Sequence, residues 1–262
     1  MAPGALALLA ITFGGAPVVP SNVMATEPAN HSTLYHSVSV EVNGEKRESQ
    51  SRVLFSGPYA FSVPPKNVNG DQDNYLPVVF NLDKKCWYDF NERKWVSKSD
   101  WKRAERLIIE RFEKALEAAS SEEEKQFIRE GLTPEFKITA SNSTLTVEGK
   151  FVSYDIVAMP NISEEDRSRF YKYDRLNAIH KAMQLQRLPA GTQLKLDELL
   201  HKRNIMPKSI SMTMNLPATE LLNTPPMKLS FTSSFTLRKP TTEETETTSK
   251  YLEALPPFDE EK

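Results

Sequence analysis

The chain has 262 residues, of which 39% are hydrophobic and 26% are charged, and its formal net charge is −2 at pH 7. This balance argues against a dedicated nucleic-acid-binding protein, because such proteins usually carry an excess of lysine and arginine that neutralises phosphates. Cys86 is the single cysteine, which excludes an internal disulfide and any metal site built from several cysteines.

The first 25 residues have the pattern of a secretory signal. A nearly continuous apolar run from Ala5 to Phe13 is followed by small residues up to Ala25, although no lysine or arginine precedes the run. An apolar region followed by a small-residue cleavage site is typical of such signals. We therefore expect residues 1–25 to be removed and the mature protein to be exported, either periplasmic or extracellular, and soluble. No integral membrane span is expected, because the run is shorter than the ~20 residues that a spanning helix needs.

Alternation of apolar and polar residues predicts the first strands. From Leu34 to Val42 the apolar residues recur at almost every second position, as in a half-buried strand. Asn43-Gly44 then favours a tight hairpin, because both residues tolerate positive φ. The return strand is predicted from about Arg47 to Phe55. A third strand, Tyr59 to Val63, follows a turn at Gly57-Pro58.

Two aromatic hairpins lead into the first long helix. Their strands are predicted at residues 78–82, 86–90 and 95–96. Ser99 or Asp100 is expected to cap the helix, because a short side-chain oxygen accepts a free backbone N–H of the first turn. The helix has one largely apolar face with residues at steps of three or four, namely Trp101, Ala104, Ile108, Phe112, Ala115 and Ala119.

Further helices and strands follow in the second half of the chain. A capping box at Ser121 and Glu124 begins one helix, and Ser163 begins another. Strands are predicted at residues 136–140, 145–147 and 151–157, and a short helical piece near 196–201. The helix after Ser163 has an inner stripe formed by Phe170, Tyr173, Leu176, Ile179 and Met183.

The last two predicted strands, near residues 209–216 and 229–237, alternate strictly. Such alternation indicates an antiparallel sheet with one solvated face. The predicted fold is α+β: a large curved antiparallel sheet, a half-barrel of about nine strands, with helices packed on its apolar face. We expect a single domain over residues 26–239. Residues 240–262, rich in Thr, Glu and Pro, are expected to form a solvated acidic tail, because they contain few apolar residues.

Catalytic motifs are absent from the sequence. It contains neither a Gly-rich phosphate loop nor a Gly-x-Ser-x-Gly turn, and its four histidines are scattered. Glu164-Glu165-Asp166 fits the first turn of a helix, where carboxylates oppose the helix dipole, better than a metal site. No catalytic residue, metal ligand or cofactor is therefore predicted.

One face of the predicted sheet is apolar enough to bind a ligand. If the registers are as predicted, this face carries Val38, Val40, Phe61, Tyr88, Met212, Met214, Phe231 and Phe235. Methionine and phenylalanine beneath helices could enclose a cavity for an acyl chain, because thioethers adapt to irregular apolar ligands. The alternative is a closed core without a cavity. The candidate ligand-binding residues are Val40, Phe61, Tyr88, Met212, Met214 and Phe231.

Three segments resemble the periplasmic lipoprotein carriers, the LolA/LolB-like superfamily. They are Ser51–Val63, Val79–Asp89 with its Trp87-Tyr88 pair, and Asn204–Ile210, which is similar to the entry of that family into its final strand pair. The resemblance implies an open half-barrel with helices as a lid over an apolar cavity.

Three classes of function follow from the sequence. The first is an exported, non-catalytic protein that binds a hydrophobic ligand or a lipidated partner such as a lipoprotein. The second is a protein–protein interaction module of the cell envelope with a closed core. The third is a small enzyme that uses the half-barrel cavity, which converging titratable groups inside the cavity would favour.

Overall fold

The computed structural model describes residues 31–42, 45–63, 77–90, 92–185, 191–217 and 226–258. The predicted signal sequence lies outside these residues, so export stays a prediction. None of the helices in the described ranges combines the length and the apolar character needed to cross a membrane.

The fold combines helices with one open antiparallel sheet of 11 strands. The strands are β1 (His31–Val42), β2 (Glu45–Ser56), β3 (Tyr59–Val63), β4 (Val78–Asn81), β5 (Cys86–Asp89), β6 (Lys94–Val96), β7 (Lys137–Ser141), β8 (Thr144–Glu148), β9 (Val152–Ala158), β10 (Pro207–Leu216) and β11 (Met227–Arg238). Each of the 11 strands corresponds to a strand segment predicted from the sequence, so only the expected total of about nine was too low.

The strands lie in the order β6-β5-β4-β3-β2-β1-β11-β10-β9-β8-β7. Two meanders, β1 to β6 and β7 to β9, therefore stand at opposite ends of the sheet. The pairing of β1 with β11 joins them through β10, with Leu34 opposite Leu237 and Val40 opposite Phe231. This pairing brings the first and the last strand to the middle of the sheet.

Five helices complete the described structure: α1 (Lys98–Ala118), α2 (Glu122–Leu132), α3 (Glu164–Leu185), α4 (Gly191–Lys202) and α5 (Thr242–Ala254). The first begins two residues earlier than predicted, because Ser97 forms a capping box with Asp100. Of its predicted apolar face, Trp101 is buried, whereas Ala104, Phe112, Ala115 and Ala119 are only partly buried.

Helices pack on both faces of the sheet. On the inner face, the buried side chains of β1, β2, β4, β5, β8 and β9 form one core with α3 and α4. The predicted stripe of α3 belongs to it, because Phe170, Tyr173, Leu176 and Ile179 are buried there and Met183 packs against it. On the outer face, a second cluster contains Leu54, Phe61, Val79 and Tyr88, and Tyr251, Leu252 and Leu255 pack against it.

The expectation that residues 240–262 form a solvated tail is wrong. Thr241 and Glu244 form a capping box that begins α5, and Glu244 and Thr248 are buried. The larger apolar residues Tyr251, Leu252 and Leu255, at the end of α5 and just beyond it, pack against the outer cluster of the sheet. Trp95 Nε1 also donates a hydrogen bond of 3.1 Å to the Pro256 carbonyl oxygen. Residues 241–258 are therefore a part of the folded body.

Candidate ligand-binding cavity

A cavity of about 350 Å³ lies between the inner face of the sheet and α3. Its floor is formed by the central strands β1, β10 and β11, and its roof by one side of α3. The floor is mainly apolar, with Leu34, Val38, Ile210, Met212, Phe231 and Phe235 among its residues. The strand order explains this position, because it places the first strand of the chain beside the last two.

The predicted binding residues fall into three groups. Met212 and Phe231 line the cavity. Val40, opposite Phe231, and Met214, two residues after Met212, lie on the same face of the sheet but outside the cavity lining. Phe61 and Tyr88 lie on the outer face, in the cluster that α5 covers.

The grouping of Phe61 and Tyr88 with Met212 was wrong for a physical reason. In β3 to β5 consecutive residues such as Val79 and Phe80, or Trp87 and Tyr88, are buried, because helices cover both faces of the sheet. Alternation separates two faces only when one of them is solvated. The register shows the outcome: Phe61 is opposite Leu54 and Val79, and Tyr88 is opposite Val79.

The roof of the cavity carries polar groups that sequence reasoning missed. Asp174, Asn177 and Lys181 line the cavity from α3, together with Ala178 and Ala182. Their spacing of three and four residues places them along one face of the helix. On an isolated helix such residues are typical of a solvated surface, and only the strand order shows that a sheet lies opposite them.

One end of the polar face is an acidic pair. Asp174 lines the cavity and lies beside Asp197 of α4. Gln193 Nε2 donates a hydrogen bond of 2.8 Å to Asp197 Oδ1, whereas the buried Asp197 Oδ2 has no hydrogen-bond partner among the described residues. Burial raises the pKa of both carboxyls, and their proximity raises the pKa of Asp197 further. Two buried carboxylates that lie side by side repel each other, so the pair is not doubly charged.

Lys181 is the basic group of the cavity. Burial lowers the pKa of its ammonium, whereas the charge of Asp174 raises it. Its side chain nevertheless has the accessible surface of an exposed residue. The two observations agree because Lys181 lines the cavity, so that its accessible surface is a part of the cavity wall. Among the described residues, no carboxylate lies within ion-pair distance of its Nζ.

His36 lies on the floor of the cavity. Its imidazole stacks on Phe235 with the ring centroids 4.6 Å apart. Burial, and secondarily the charge of Lys181, lower the pKa of His36 to about 4, so the ring is neutral at pH 7. His36 Nε2 is buried and has no hydrogen-bond partner in the described part of the chain. The alternation of Leu34, His36 and Val38 was the sequence signal that placed this histidine on the inner face.

His180 does not belong to the cavity. It packs between Phe80 and Trp87 with ring centroids 5.7 and 5.4 Å away. Burial lowers the pKa of His180 to about 4. This residue is a neutral member of the core.

The cavity has no assembled metal site, since the described residues contain no group of three or more potential metal-ligating His, Cys, Asp or Glu side chains. No known family model matches the chain, and no curated protein matches it. The resemblance to lipoprotein carriers therefore stays a prediction from the sequence, and the function has to be inferred from the cavity.

Proposed function

We propose that the protein binds an apolar ligand, or the acyl chain of a lipidated partner, without catalysis. The observation that carries the proposal is the cavity of about 350 Å³ lined by Val38, Met212, Phe231 and Phe235. Ligand pockets of proteins usually measure about 300–1,000 Å³ and are mainly apolar with a few polar groups. The methionine thioether adapts to irregular ligands, and the aromatic rings supply a large contact area.

The arrangement of the sheet supports the same proposal. An open sheet with α3 and α4 on one face agrees with the curved half-barrel and helical lid that the resemblance to lipoprotein carriers implies. A closed core, the basis of the interaction-module alternative, is less well supported. Protein interiors are packed almost without voids larger than a water molecule, and this cavity is much larger.

An enzyme is the second candidate function. Asp174, His36 and Lys181 converge on the same cavity, and the pKa of each is shifted by burial. Shifted pKa values in a cleft are common at active sites, although structural networks produce them as well. Recovery of a chemically unchanged ligand after long incubation would favour binding, whereas turnover would favour the enzyme.

A matched pair of methionines tests whether the cavity binds ligands. Met212 lines the cavity, whereas Met214, on the same strand and face, packs against the core outside the lining. The unaltered protein is expected to bind an environment-sensitive apolar dye with a stoichiometry near one. Met212→Trp should reduce dye affinity at least tenfold, because the indole fills the cavity. Met214→Trp should retain binding, at a stability cost of about 1–3 kcal/mol from overpacking.

Dye titration followed by fluorescence measures both effects, and circular dichroism checks that each variant is folded. Absence of saturable dye binding by the unaltered protein would contradict the proposal. Equal loss of binding in the two variants, with both folded, would place the bound dye elsewhere.

A further inference from the structure

We propose that the ligand is a single-chain amphiphile with a carboxylate head, held by Lys181, and an apolar chain of about ten carbons that lies on the floor of the cavity. This inference rests on the proposed function and names the class of ligand. It depends on three features of the cavity: an ammonium group with no carboxylate of the described residues at ion-pair distance, a pair of adjacent buried acids, and a limited volume.

The first feature is the ammonium group of Lys181. Asp174 lies seven residues earlier on α3, which corresponds to about 10 Å along a helix, so the two side chains start from positions two turns apart. No carboxylate of the described residues lies within ion-pair distance of Lys181 Nζ, although the side chain lines the cavity. The side chain of Lys181 is accessible, so a carboxylate bound in the cavity can reach its ammonium and form a charge-assisted hydrogen bond. A carboxylate in the cavity would supply the missing partner.

Neighbouring groups add hydrogen-bonding capacity around this ammonium. Asn177 lies one turn before Lys181 on the same face of α3 and also lines the cavity, and its amide can donate to a carboxylate. On the floor, His36 also lines the cavity, but its Nε2 atom is inaccessible and is therefore not one of these donors. A carboxylate that hydrogen-bonds to charged and polar donors has the stronger type of hydrogen bond.

The second feature argues against a cationic head group. Asp174 lines the cavity beside the buried Asp197, whose Oδ1 accepts a hydrogen bond from Gln193. Two adjacent buried carboxyls disfavour each other's charge, so the pair carries at most one negative charge. A cationic ligand would therefore face both a partly neutralised acid pair and the repulsion of Lys181.

The third feature sets the length of the chain. An apolar cavity of about 150 Å³ holds a benzene molecule, so a volume near 350 Å³ corresponds to roughly a dozen non-hydrogen atoms at similar packing. Decanoate has this size. The chain would contact Met212, Phe231 and Phe235, whose rings and thioether lie on the floor.

Three ligands with the same ten-carbon chain and different head groups distinguish the contribution of the head group to affinity from that of the chain. Isothermal titration calorimetry at pH 7.5 would compare decanoate, decanol and decylamine on the full-length protein. Decanoate is expected to bind at least tenfold more tightly than decanol, and decylamine more weakly than either. This comparison uses the unaltered protein and does not depend on the folding of any variant.

Variants at two lysines of α3 then test whether Lys181 causes the preference for decanoate. Lys181→Met is expected to abolish the preference for decanoate over decanol, while Lys181→Arg retains it. Lys172→Met is the matched control, because Lys172 is exposed on α3 and pairs with Asp83 outside the cavity at 2.8 Å. It should change neither affinity.

The outcomes distinguish the two proposals. Equal affinities for decanoate and decanol, or a preference that persists in Lys181→Met, would overturn the carboxylate inference and leave apolar binding intact. Preferential binding of decylamine would overturn it in favour of the acidic pair as the head-group site. No binding of any of the three ligands, together with no dye binding, would overturn the proposed function itself.

Discussion

The residue that most tightly attaches α5 to the sheet is Glu244, whose side chain is only 3% exposed. Its carboxylate accepts hydrogen bonds from Tyr35 at 2.8 Å, from Arg238 at 2.9 Å and from the Thr241 backbone N–H at 2.9 Å. Arg52 lies 3.4 Å away. Burial alone raises the pKa of Glu244, but these hydrogen bonds and the charge of Arg238 outweigh it and lower the pKa to about 2.

Glu244→Gln is expected to reduce the free energy of unfolding by about 2 kcal/mol at pH 7, because hydrogen bonds to a charged group contribute about 1.5–3 kcal/mol each net and the glutamine amide replaces only some of them. Urea denaturation measures the change. Glu246→Gln on the same helix, where the side chain is exposed, should change stability by less than about 0.5 kcal/mol. A loss in the control as large as that in Glu244→Gln would point to a general effect of helix charge.

The lowered pKa of Glu244 predicts that its contribution to the free energy of unfolding depends on pH. The pKa of Glu244 in the folded protein, about 2, lies below the ordinary glutamate value of 4.5, so its contribution to stability is present above about pH 4.5 and is lost as pH falls toward 2. The difference in unfolding free energy between the unaltered protein and Glu244→Gln should therefore shrink between pH 5 and pH 2. A difference that stays constant over this range would show that the charge of Glu244 is not what stabilises α5.

At the scale of elements, local signals located most of the structure. Alternation and turn residues found the β1–β2 hairpin, whose arms pair directly, and the stripe from Phe170 to Ile179 found the buried side of α3. The sequence analysis missed α5, because it considered the low apolar content of residues 240–262 as a whole and not the positions of the few apolar residues within them. Its apolar residues Tyr251, Leu252 and Leu255 are few, but all of them pack on the outer face of the sheet.

Deletion of residues 240–262 tests the role of α5. The deletion would expose Phe61, Val79 and Tyr88, which are buried beneath the segment, and remove the hydrogen bonds of Glu244. Burying one large apolar side chain contributes about 1.5–3 kcal/mol, and 1 kcal/mol corresponds to about 2–4 °C in a protein of this size. We expect Tm to fall by about 10 °C or more in differential scanning calorimetry.

Deletion of residues 259–262 alone is the control for the loss of α5 and should leave Tm within about 2 °C. An unchanged Tm after the longer deletion would mean that α5 does not stabilise the body, contrary to the packing of Tyr251 and Leu252.

At the scale of the whole molecule, local sequence patterns could not predict which strands become neighbours. The cavity depends on the pairing of β1 with β11, whose residues are about 200 positions apart, and local patterns carry no information on such pairs. For the same reason the polar residues Asp174, Asn177 and Lys181 could not be recognised as cavity residues. His36 was within reach of prediction, because alternation alone placed it on the face of Leu34 and Val38.

Engineered cysteines test this long-range pairing. Ser37 of β1 lies opposite Ser234 of β11, and side chains directly opposite in an antiparallel pair have Cβ atoms about 4.5–5.5 Å apart. Ser37→Cys with Ser234→Cys should form a disulfide under mild oxidation, which mass spectrometry of unreduced peptides detects. Ser37→Cys with Thr232→Cys should not, because Thr232 lies opposite Ser39 and diagonal pairs are about 7–8 Å apart. Cys86 is fully buried and should not compete. A disulfide in the second variant but not in the first would shift the register of the sheet by two residues and, with it, the floor beneath Lys181.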